Sequence, residues 1–75
     1  MLQLRVLDIL SEQDRTKYWL FKRMGMSYQN FNRIVSNETS SIRFDILERM
    51  SILLDVPVGE LFEQTTDFIQ EPLEK

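Results

Sequence analysis

The chain has 75 residues, 43% of them hydrophobic and 28% charged, with two glycines and two prolines, a composition that fits one small globular domain and leaves no room for a second. It holds no cysteine and no histidine, which excludes a disulfide framework or thiolate metal site and removes the commonest metal ligand and general base. Neither an enzyme nor a metal protein is therefore expected, and no cofactor is called for. The net charge of −3 is unevenly spread: −1 over residues 1–13, +4 over 14–43 and −6 over 44–75. A basic middle third beside an acidic remainder suits a molecule that turns one face to phosphates.

Apolar runs such as Ile52-Leu53-Leu54 fall far short of the ~20 residues of a membrane span, so a cytoplasmic protein with no membrane attachment is expected. From Leu2 to Leu10 the apolar residues break strict alternation at Val6-Leu7 and Ile9-Leu10, which predicts a first helix over about 4–12. Thr16 is a candidate N-cap, Leu20, Phe21 and Met24 make a helical stripe, and Gly25 supplies a left-handed stop, so a second helix is expected over about 17–24. Ser27 then caps a third helix over about 28–36, in which Phe31, Ile34 and Val35 repeat at helical spacing before Asn37 offers another left-handed stop.

The polar stretch Asn37 to Ser41 reads as a loop. A fourth helix over about 44–54 carries Phe44, Leu47, Met50 and Leu54 on its apolar face and ends before Val56-Pro57. Pro57 then suits the entry of a fifth helix over about 58–63. Residues 1–64 thus make one all-α, five-helix domain, and residues 65–75 an acidic tail, flexible or docked on a partner.

The second and third helices, joined by a short turn at Gly25, form a helix-turn-helix by spacing. The third keeps an outward polar face of Tyr28, Gln29, Asn32 and Arg33. A helix fits the major groove, where glutamine pairs with adenine and arginine with guanine in bidentate fashion.

The segment Thr16 to Ser27, the run Asn32-Arg33-Ile34, and the stretches Ser41 to Met50 and Leu54 to Phe62 resemble the phage repressor and Cro family of helix-turn-helix domains, the XRE family. The resemblance implies a repressor-like fold and a transcriptional regulator that binds operator DNA as a homodimer. The chain departs from the family pattern in four places: the run after the third helix is Val35-Ser36-Asn37, Glu38, Ser40 and Ser41 replace basic residues frequent in the following loop and weaken the electrostatic case for DNA, and two further departures lie in the second helix. Phe21 stands where the family usually has alanine, implying that the two helices are spaced differently or that Phe21 fills space left elsewhere. Lys17 stands where a glutamine usually braces the recognition helix.

On this reading Tyr28, Gln29, Asn32 and Arg33 contact bases, while Thr16, Lys17, Ser27 and Arg43 contact phosphates. The acidic net charge and the exposed aromatics favour an alternative, a helix-turn-helix scaffold that binds a larger regulator or acts as an antitoxin-like partner.

Overall fold

In the computed structural model, which describes residues 2–64, four α-helices follow the expected order: α1 Val6–Glu12, α2 Lys17–Met24, α3 Tyr28–Val35 and α4 Phe44–Leu54. Their boundaries have local causes. The Thr16 hydroxyl accepts the Trp19 amide at 3.0 Å and the Ser27 hydroxyl accepts the Asn30 amide at 3.3 Å, each satisfying a donor that the first turn of a helix leaves unpaired. Gly25 at φ 70° ends α2, Asn37 at φ 62° follows α3, and Asp55 at φ 58° ends α4, all in the left-handed region where glycine, asparagine and aspartate are tolerated best.

Two expectations are corrected. The first helix begins at Val6, not residue 4; Leu2–Leu4 instead form a strand, β1. The expected fifth helix over 58–63 is a 3-10 turn, Val58–Leu61, leading into a second strand, β2, Phe62–Gln64. The two strands pair antiparallel, Leu2 opposite Gln64 and Leu4 opposite Phe62. The domain is therefore mainly helical with a two-stranded ribbon, not an all-α five-helix fold. A strand of three residues has too few positions to show a period, and its pairing is supplied by a segment at the far end of the domain. Residues 65–75, expected to form an acidic tail, lie outside the described residues.

The core is apolar throughout: Val6, Ile9 and Leu10 of α1 meet Leu20 and Met24 of α2, Phe31, Ile34 and Val35 of α3, Leu47, Met50 and Leu54 of α4, and Leu4 and Leu61 beside the ribbon. No polar or charged residue is buried among the described residues. Stability thus rests on packing and on the polar contacts that close the rim.

Asn37 makes the most telling of these contacts. Its Oδ1 accepts the Leu4 amide at 2.7 Å and its Nδ2 donates to the Leu4 carbonyl at 3.0 Å. The side-chain amide thereby acts as a third strand on the outer edge of β1 and fastens the ribbon to the end of α3. Asn37→Ala removes both bonds and puts a Cβ-bearing residue without side-chain compensation at positive φ, so it is expected to cost about 2–3 kcal/mol. Asn37→Gly, which loses the bonds but suits the backbone, is expected to cost less. Urea unfolding of the two variants checks this; equal losses would remove the backbone contribution from the explanation.

Candidate nucleic-acid interface

At 100° per residue, Phe31, Ile34 and Val35 place one side of α3 in the core, and on the opposite side Gln29, Arg33 and Ser36 fall within an arc of roughly 60°. Gln29, Arg33 and Ser36 are all exposed. Tyr28 and Asn32 occupy the flank nearest α2, and exposed Asn30 falls on the other flank. Asn30 and Ser36 were not among the residues expected from the sequence; angular position on the helix is the signal that finds them.

The contacts between α2 and α3 are aromatic. The Phe21 ring lies edge-on to Tyr28, with ring centroids 5.1 Å apart, and tilted against Phe31 at 5.5 Å; Tyr18 completes the group at 6.2 Å from Phe21. Phe21 therefore fills the space beneath Tyr28, which is the second of the two outcomes its presence implied. Edge and tilted packing of this kind suits the ring quadrupoles and fixes the entry angle of α3. Tyr28 keeps half its surface exposed above this floor.

Lys17, the first residue of α2, reaches across to α3. Its ammonium donates to Asn32 Oδ1 and lies 5.5 Å from the centre of the Tyr28 ring. A lysine at this position thus braces the recognition helix by other means than a glutamine amide. The bond also occupies one of the two acceptor or donor groups of Asn32 and holds that side chain half-buried, leaving its NH2 group for other contacts.

The charge pattern of the two helices is one-sided. From Lys17 to Val35 there are four cations, Lys17, Lys22, Arg23 and Arg33, and no carboxylate. Lys22 lies over Tyr18, and the guanidiniums of Arg15 and Arg23 lie 4.1 and 4.4 Å from the ring centre of Trp19, so aromatic faces hold these cations in place. Arg33 has no such ring and no ion pair among the described residues.

Of the residues expected at phosphates, Thr16 and Ser27 are exposed and use their oxygens as N-caps, which leaves each hydroxyl proton free to donate. Arg43 belongs to neither α2 nor α3. It precedes α4, its side chain is 80% exposed, and it pairs with Asp45 at 3.1 Å, a surface pair of little energetic weight. No described helix is long and apolar enough to cross a membrane.

A solvent-facing, carboxylate-free third helix set on a glycine turn is the geometry of a helix-turn-helix reader, and the family comparison agrees: the model of the Cro/C1-type HTH DNA-binding domain matches residues 5–67. The chain belongs to this Cro/C1-type family. The family is a DNA-binding domain and not an enzyme class. The chain is also similar to a solved crystal structure of a "putative DNA-binding protein" from Bacteroides fragilis, at 32% identity and a TM-score of 0.72, over 84% of this chain and 100% of that one. No curated protein matches it. Within the Cro/C1-type arrangement α2 and α3 are the helix-turn-helix, and DNA is the partner that the domain type serves.

Proposed function

We propose that the protein is a sequence-specific transcriptional regulator of the cytoplasm that binds operator DNA as a homodimer, with α3 of each subunit in the major groove of one half-site. The observation that carries this reading is the outward arc of α3, where Gln29 stands beside Arg33, which has no ion pair among the described residues, in a stretch with no carboxylate between Lys17 and Val35. Gln29 offers a bidentate amide for adenine and Arg33 a bidentate guanidinium for guanine. Tyr28 meets a thymine methyl or a phosphate from its aromatic floor, and Asn32 adds a contact through the NH2 group that Lys17 leaves free. Thr16, Lys17, Ser27 and Arg43 take phosphates, which set register without reading sequence.

Binding of this kind releases counterions, so affinity falls with salt at a log-log slope of about −0.9 for each phosphate neutralised. Lys17→Gln keeps a hydrogen-bonding reach to Asn32 and removes the charge. It is expected to make the slope of a dimer shallower by about 2, one phosphate per subunit, as read by anisotropy titrations of a labelled operator duplex at several salt concentrations. An unchanged slope would take Lys17 off the phosphates.

The scaffold reading has one observation in its favour. On the side of α2 turned from α3, half-buried Trp19 lies between Arg15 and Arg23, and Arg23 borders the α4 surface where Ile52 is 70% exposed; tryptophan and arginine dominate protein interfaces. The readings part at Arg33→Ala, which weakens operator binding in the first and leaves a protein complex intact in the second.

A further inference from the structure

The ribbon, the inner side of the end of α3 and the start of α4 enclose an open, largely apolar groove of about 360 Å³, lined by Leu2, Leu4, Ile34, Phe44, Leu47 and Phe62 together with polar residues that include Asn37 and residues 39–41. Leu4 and Leu47 form a buried floor, but Phe44 is 87% exposed and Leu2 60% exposed. Two large apolar side chains standing in water over an apolar floor favour a cover. The interface described above does not use this surface.

Where the chain goes next identifies the cover. Leu2 pairs with Gln64 and Leu4 with Phe62, and residues paired across an antiparallel ribbon share a face, so β2 ends beside Leu2, with Phe62 and Gln64 on the face of the ribbon that lines the groove. Phe68 follows Gln64 by four residues, a reach of at most roughly 13–14 Å. Residues 65–75 carry Phe68, Ile69 and Leu73 among Asp67, Gln70, Glu71 and Glu74, a pattern with apolar side chains to bury and carboxylates to keep wet.

We propose that residues 65–75 of the same chain dock in this groove, with Phe68 and Ile69 seated against Leu2 and Phe44. Covalent attachment at Gln64 gives this segment a high effective concentration at the groove that no separate molecule has. No DNA enters the test, so its outcome is independent of the function proposed above.

The test is two-dimensional amide NMR of the nitrogen-15-labelled full chain. The double variant Phe68→Ser with Ile69→Ser is expected to shift the amide resonances of Leu2 and of Ser40 to Phe44, remote in sequence from the change, while those of α1 and of the Trp19 turn stay in place. Phe44→Ser, at a position exposed enough to spare the fold, is expected to shift the amides of Phe68 and Ile69 in return. Both effects should persist on dilution. Unmoved resonances over 40–44 would overturn the proposal. So would groove shifts that vary with protein concentration, which assign the groove to a second copy of the chain.

Discussion

Phe31→Ala is expected to destabilise the domain by about 3–5 kcal/mol, the usual cost of truncating a buried phenylalanine without collapse of the cavity. Phe31 is fully buried and is the largest of the buried side chains. Its ring also supports those of Phe21 and Tyr28, at 5.5 and 6.3 Å. A domain of this length has a total stability of roughly 4–11 kcal/mol at ordinary values per residue, so the variant loses a large share of its folded population. Because the lost ring lies under α3, the recognition surface loosens before the rest of the helix bundle does. Phe31→Leu, which keeps most of the volume, should retain more of both stability and order. Urea unfolding followed by the single tryptophan reads the loss; a cost under about 1 kcal/mol would mean that the core around Phe31 closes up, contrary to the tight packing described.

The second large effect concerns recognition. On the proposed function, Gln29→Ala and Arg33→Ala would each remove a bidentate base contact worth about 1–3 kcal/mol, and in the proposed homodimer each change is made twice. Operator affinity is expected to fall accordingly, while unfolding midpoints stay within about 0.5 kcal/mol of the parent, since both side chains are exposed. Arg33→Lys separates the two things an arginine does. It keeps the charge, and with it the salt slope, but loses the planar fork that reads guanine. Specificity at one base pair should relax in this variant with little change in non-specific binding. A lysine variant that discriminates as well as the parent would reduce Arg33 to a source of local potential.

The parts of the fold that were legible in the sequence are those written by neighbouring residues. Thr16 and Ser27 as caps and Gly25 as a left-handed stop fix both ends of α2 and the start of α3 within a few residues of themselves, so α2 matches its expected span and α3 its expected start. The ribbon was not legible. Leu2 and Leu4 fit the first turn of a helical stripe as well as a strand, and only the distant Phe62–Gln64 segment decides between them. Asn37 shows both sides of this: its tolerance of positive φ could be read locally, but its two bonds to Leu4 depend on where β1 lies in space.

The same division runs through the candidate interface. That Gln29 and Arg33 point away from the core follows from the spacing of Phe31, Ile34 and Val35. That Lys17 holds Asn32, or that Phe21 props Tyr28 edge-on, depends on the distance and angle at which α2 and α3 cross, which no local pattern encodes. The stacking of Arg23 on Trp19 is legible in the sequence, since positions four apart on a helix share a face, whereas that of Arg15, which precedes α2, is not. These contacts hold both guanidiniums against the indole face.

The central claim is that α3 reads base sequence, and selection of bound duplexes from a random library tests it most directly, run in parallel with the parent protein, Gln29→Ala and Arg33→Ala. The account predicts that the parent enriches an inverted repeat with half-sites about one helical turn apart, ~10 base pairs, and that each variant loses preference at its own position in both half-sites. A folded parent protein that enriches no sequence, or variants that select the same repeat as the parent, would contradict it.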